Sequence, residues 1–125
     1  MSKKILIVDD EPHIRLLLSQ TLEELEDQGV EILTATNGQE GLETIQDEQP
    51  DLVFLDVMMP KMNGFDVCHQ VKNELKITET FIIMLTAKGQ EVDKQKGQEV
   101  GADLYMTKPF DPDEVLAKAQ EILGF

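Results

Sequence analysis

Three runs of the chain are apolar without interruption over the length of a β-strand: Ile5-Leu-Ile-Val8, Leu52-Val-Phe-Leu55 and Phe81-Ile-Ile-Met-Leu85. A strand with one wet face alternates apolar and polar residues. Unbroken runs therefore mean burial on both faces, the habit of a parallel sheet covered by helices. Val30 to Ala35 and Leu104 to Met106 carry weaker versions of the pattern and suit positions nearer a sheet edge.

The stretches between these runs read as helices. Ile14, Leu17, Leu18, Leu22 and Leu25 share a helical stripe, with Pro12 at a first-turn position and Gly29 ending the segment. Gly41 to Glu48 is a shorter helix. A third starts near Gly64 and carries Phe65, Cys68, Val71 and Leu75 on one face. The segment from Gln90 to Val100 is a poor helix, with Val92 and Val100 as its apolar anchors and Gly97 inside it. The last helix opens with Asp111 as N-cap, Pro112 at N1 and Glu114 at N3, a capping-box pattern, and buries Val115, Leu116, Ala119, Ile122 and Leu123. The order is a strand and a helix repeated five times. That gives an α/β, doubly wound (βα)5 fold, with the chain of 125 residues forming one domain over 1–125.

A net charge of −14 opposes contact with the phosphate backbone of nucleic acid and with anionic membrane surfaces. It favours divalent cations and basic patches on partner proteins. The single cysteine, Cys68, excludes an intrachain disulfide and reads as a small buried group. The N-terminal apolar run is too short for a secretory or membrane-spanning segment, so a cytoplasmic location is expected. His13 and His69 have no companion ligands at useful spacing and read as surface residues.

In doubly wound folds, ligands sit beyond the carboxyl ends of the strands. Those ends carry Asp9-Asp10-Glu11, Asp56, Thr86-Ala87 and Lys108-Pro109. Each has an ordinary explanation as a cap, a turn or helix-entry punctuation. Together they put several carboxylates, a hydroxyl and an ammonium on one rim, at a cost of roughly 4 kcal/mol per close like-charge pair at an effective dielectric near 20. A hard dication such as Mg²⁺ offsets that cost and keeps water positions that phosphoryl oxygens can enter. Asp56, alone at the end of the most apolar strand, is then the nucleophile that becomes an aspartyl phosphate. Asp9 and Asp10 hold the metal, Lys108 pairs with the phosphoryl group, and Thr86 donates a hydrogen bond to it.

The motifs Ile5-Leu-Ile-Val-Asp-Asp-Glu11, Asp51-Leu-Val-Phe-Leu-Asp-Val-Met-Met-Pro-Lys-Met-Asn-Gly64, Met84-Leu-Thr-Ala87 and Gly101-Ala-Asp-Leu-Tyr-Met-Thr-Lys-Pro-Phe110 stand in one order and spacing. Through them the chain resembles a response-regulator receiver domain, the phosphoacceptor half of two-component signalling, over Lys4 to Leu123. The resemblance implies a flavodoxin-like strand order of 2-1-3-4-5, an order for which a receiver protein is itself a standard example. It also implies a metal ligand at the backbone carbonyl of Met58, a cis Lys108-Pro109 peptide, and a switch in which Thr86 moves inward and Tyr105 follows. Met58 and Lys88 fall where side chains influence the phosphoryl lifetime. The bulky Met58 side chain leads us to expect slow self-dephosphorylation.

The implied partners are a sensor histidine kinase or a histidine phosphotransfer protein, and a downstream protein or second receiver. The latter would meet the face formed by the 90–100 segment, the fifth strand and the last helix. Such a protein is a signalling switch, acting as an enzyme only on its own phosphorylation and dephosphorylation. No output segment follows Phe125, which suits a stand-alone receiver acting by protein contact and equally a receiver cut from a longer regulator. Three competing functions fit less well. A Mg²⁺-dependent phosphohydrolase often places an acid/base Asp where Met58 stands. A flavin module needs a phosphate cradle where Asp9-Asp10-Glu11 lie. An inert docking relative usually lacks one of the five chemical positions.

Overall fold

The computed structural model describes residues 3–87 and 100–125. The strands are β1 (Lys3–Val8), β2 (Val30–Ala35), β3 (Leu52–Asp56), β4 (Phe81–Ala87) and β5 (Leu104–Lys108). They form one parallel sheet in the order β2-β1-β3-β4-β5, as the resemblance implies. The unbroken runs take the centre and are buried save for the partly exposed Phe81: every residue of β3 lies inside, whereas β2, at one edge, exposes Glu31 and Thr34.

Side-chain alternation divides the core in two. Ile5, Ile7, Leu52, Phe54, Ile83 and Leu85 face α1 (Pro12–Leu22) and the C-terminal α4 (Pro112–Leu123). Leu6, Val8, Val53, Leu55, Ile82 and Met84 face α2 (Gly38–Glu48) and α3 (Gly64–His69). Helices thus cover both faces, which is why neither parity of the central strands tolerates a polar residue.

The helices depart from expectation at their ends. α1 keeps Pro12 at N1, but after Leu22 the chain tightens into a 3₁₀ turn, Glu23–Gln28, which Gly29 closes at φ 89°. Leu18, Leu22 and Leu25 are buried while Leu17 is 39% exposed, because Leu17 sits at the margin of a stripe centred on Leu18. α2 starts three residues before the predicted Gly41, with Asn37 as N-cap accepting the Glu40 N–H at 2.9 Å. α3 widens into a π turn, Gln70–Glu74, that breaks the 3.6-residue period. Phe65, Cys68 and Val71 are buried, but Leu75, just past that turn, falls off their face and is exposed.

Asp111 caps α4 as predicted, with Pro112 at N1. Its carboxylate accepts the Asp113 N–H at 2.9 Å rather than the N–H of Glu114 that a capping box uses. The predicted helix from Gln90 lies outside the described residues except at Val100.

Candidate functional site

Four strand ends and one loop build the site. β1 delivers Asp9, which is fully buried, and Asp10, which is exposed. β3 ends on Asp56, 4% exposed, and Leu85 stands opposite it in register on β4. The next β4 residue, Thr86, is 2% exposed, and its hydroxyl makes no hydrogen bond among the described residues. β5 ends on Lys108, joined to Pro109 by a cis peptide.

Carboxylate oxygens of Asp9, Asp10 and Asp56 lie within 4.8 Å of one another. The Lys108 ammonium reaches between two of them, at 3.0 Å from Asp9 Oδ2 and 3.2 Å from Asp56 Oδ1. The other Asp9 oxygen, Oδ1, accepts the Glu11 N–H at 2.9 Å, and the Asp9 carbonyl accepts from Arg15 Nη1 at 2.7 Å.

The charges do not balance. With all three carboxylates ionised, one ammonium leaves two negative charges unmatched. Carboxylates this close repel by about 3–4 kcal/mol at an effective dielectric near 20. Burial pushes the Asp56 carboxyl up to about 7, Asp9 adds to the rise, and Lys108 opposes it. Burial alone would lower the Lys108 pKa, but its hydrogen bond to Asp9 and the charge of Asp56 outweigh burial and raise it. Lys108 is therefore a firm cation, and Asp56 an acid held part-protonated at neutral pH chiefly by burial, with the charge of Asp9 adding to it. A cluster of hard oxygen ligands with surplus charge suits a hard dication.

The loop after β3 is fixed by two glycines whose roles the sequence did not disclose. A Cβ on Gly64 would lie 2.3 Å from the Asp56 carbonyl oxygen, and one on Gly38 would lie 1.9 Å from the Met62 carbonyl oxygen. The Gly64 N–H also bonds the Val57 carbonyl at 2.9 Å. The starts of α2 and α3 thus grip the 57–63 loop by backbone contact. Asn37 and Asn63 cap these two helix starts, Asn63 accepting the Asp66 N–H at 3.0 Å, and the sequence reading marked neither. The glycine contacts with the loop were not visible either.

Met58 projects from that loop and is 66% exposed, and Tyr105 on β5 is half-buried against the α2/α3 side of the core. Lys88 lies outside the described residues. His13 and His69 are exposed, as expected, and Cys68 is buried, with its thiol pushed by burial up to about 12.

The model of the response regulator receiver domain family matches residues 5–120. The chain belongs to this family. A curated relative of this receiver is the alkaline phosphatase synthesis transcriptional regulatory protein PhoP of Bacillus subtilis, 49% identical over 98% of the chain and 49% of the relative. The receiver spans about half the length of the curated relatives it matches first. Among solved structures, a putative response regulator from Chloroflexus aurantiacus superposes with a TM-score of 0.86 at 33% identity, covering both chains fully. The Vibrio cholerae chemotaxis response regulator CheY4 gives 0.83 at 37% identity, over 98% of this chain and 99% of that one. The receiver is thus a phosphoacceptor component of two-component signalling, and its homologues are regulators rather than catalysts of metabolism.

Proposed function

We propose that Asp56 accepts the phosphoryl group and that Asp9, Asp10, Asp56 and the Met58 backbone carbonyl hold Mg²⁺. The observation that carries this is the Lys108 ammonium shared between Asp9 and Asp56 in a cluster still short of positive charge. When bound, Mg²⁺ supplies that charge, favouring ionised Asp56 and offsetting the charge of the phosphoryl oxygens.

The chain's own groups do the rest. An Asp56 carboxylate oxygen attacks phosphorus, the phosphorus–nitrogen bond to the donor's imidazole breaks, and the imidazole leaves with the electron pair. Lys108, freed from the lost carboxylate charge, pairs with a phosphoryl oxygen. The Thr86 hydroxyl, buried without a partner among the described residues, donates to another. Movement of Thr86 admits the half-buried Tyr105 and changes the β5–α4 surface, which a downstream protein or second receiver reads.

The donor is a sensor histidine kinase or a histidine phosphotransfer protein. The chain acts as one domain over 1–125, a switch whose only chemistry is on itself. Its acidic surface keeps this domain off nucleic acid. No described helix is long and apolar enough to cross a membrane, and we place the chain in the cytoplasm, where such donors present their phosphohistidine.

Intact mass after incubation with acetyl phosphate tests the assignment. We expect a Mg²⁺-dependent gain of about 80 Da, one phosphoryl group, absent in Asp56→Ala. A gain that persists in Asp56→Ala would move the acceptor elsewhere. A gain independent of Mg²⁺ would remove the metal from the mechanism.

A further inference from the structure

Arg15, the one arginine of the chain, stands on the first turn of α1 and aims its guanidinium back at the strand it follows. Nη1 donates to the Asp9 carbonyl at 2.7 Å in a partly buried contact. That carbonyl belongs to the peptide joining Asp9 to Asp10. A peptide is planar, so fixing its oxygen fixes ψ of Asp9 and φ of Asp10 together. The next peptide is fixed from the other side, because the Glu11 N–H is bound by Asp9 Oδ1 at 2.9 Å. Asp10 is therefore held between two pinned peptides, although its own side chain is exposed.

We infer that Arg15 is a positioning residue for the cation site, orienting Asp10 through the Asp9–Asp10 peptide. This rests on the cation reading of the Asp9, Asp10 and Asp56 cluster. Two effects of Arg15 oppose each other there. Its positive charge, held at the Asp9 backbone carbonyl beside the cluster, disfavours a second cation. Its hydrogen bond holds a ligand in place, and loss of such an outer partner typically weakens metal binding by about 10–100-fold. The bond is charge-assisted, short and aimed at one acceptor, whereas the charge acts through partly solvated space. Positioning therefore wins, and the sign of the effect tells the two apart.

The test is Mg²⁺ titration of the phosphoryl-free chain, followed by amide NMR shifts of the β1–α1 turn. The wild type, Arg15→Ala, Arg15→Gln and Arg15→Lys are compared, with the fold of each checked by thermal unfolding in chelator. We expect Arg15→Ala to bind Mg²⁺ about tenfold more weakly. Arg15→Lys and Arg15→Gln, which keep a donor with and without charge, should recover most of the loss. Unchanged or tighter binding in folded Arg15→Ala overturns the inference, and so does tighter binding in Arg15→Gln if Arg15→Ala fails to fold. If the wild type shows no saturable Mg²⁺ shift, the cation reading itself falls and takes this inference with it.

Discussion

At the amino ends of the strands Asp51 and Asp103 each have a donor of their own. Asp51 Oδ2 accepts the Lys4 N–H at 2.8 Å, and Asp103 Oδ2 accepts the Ile82 N–H at 2.8 Å while pairing with Lys72 at 3.2 Å. The Thr80 hydroxyl closes on the Pro50 carbonyl at 2.8 Å. At the carboxyl ends of the same strands, three carboxylates cluster about one ammonium that reaches only two of them, Asp9 and Asp56. One end of the sheet satisfies its polar groups and the other leaves a deficit of positive charge. The satisfied end serves the fold. The deficit is an affinity for something cationic, maintained at the cost of stability.

Since its charges oppose it, the carboxyl rim must be held by other means, and the glycine contacts are those means. Gly38→Ala gives the largest expected effect. Its Cβ would sit 1.9 Å from the Met62 carbonyl oxygen, and backbone on both sides must shift. We expect a loss of about 3 kcal/mol or more in thermal or denaturant unfolding. A cost under about 1 kcal/mol would mean that the 57–63 loop is not anchored there. Next comes the satisfied end: Asp103→Ala strands the Ile82 N–H and leaves the Lys72 ammonium, whose side chain is only 10% exposed, on the Thr80 carbonyl without its counter-charge. We expect about 2–3 kcal/mol of destabilisation, with Mg²⁺-dependent phosphorylation retained in the folded fraction. Loss of phosphorylation in a folded Asp103→Ala chain would erase the division between the two ends.

The deficit itself is exposed by Asp56→Asn. The folded Asp56 carboxyl titrates near 7 against an ordinary value of 3.8. A carboxyl raised on folding contributes stability that is fully present below its unfolded value and lost as pH rises through its folded value. In chelator, the wild type should therefore fall behind Asp56→Asn between pH 4 and pH 7. Removal of the charge should stabilise by about 1–2 kcal/mol at pH 8, the loss of the Lys108 contact taking back part of the gain. Below pH 4 the two should unfold alike. Equal stabilities across the range would show the rim to be balanced after all.

How much of this was legible in the sequence follows from the range of each interaction. The strands were readable because burial on both faces leaves no room for polar residues at Ile5–Val8 or Leu52–Leu55. Asp9, Asp10, Asp56, Thr86 and Lys108 were readable because strand ends bring them to one rim, whatever the details. Strand order came from the resemblance, since periodicity says nothing about which strands are neighbours. Leu17 and Leu75 were misplaced on buried stripes because a margin position and a π turn do not show in apolar spacing. The Gly38–Met62 approach and the Arg15 bond to the Asp9 carbonyl were illegible for another reason: each depends on a backbone atom, which no residue type announces.

The smallest expected effect concerns how long the deficit stays filled by a phosphoryl group. Met58 follows Asp56 by two residues on the gripped loop and presents an exposed thioether, 66% accessible, which orients water poorly. A carboxamide at that position offers both a donor and an acceptor to an attacking water. Met58→Asn should therefore shorten the phosphoryl lifetime by about threefold to fivefold, less than about 1 kcal/mol in barrier. Met58→Leu, still without a water partner, should leave it unchanged. Decay of the +80 Da species after donor removal, at saturating Mg²⁺, measures all three. A Met58→Asn lifetime as long as that of the wild type would mean that the side chain does not reach the phosphoryl group, and that water access is set by the backbone of the 57–63 loop. Shortening in both variants would point to simple shielding by the methionine's bulk. Shortening in Asn alone would show that the rim governs the entry of phosphate through charge and its loss through the exposed side chain of Met58.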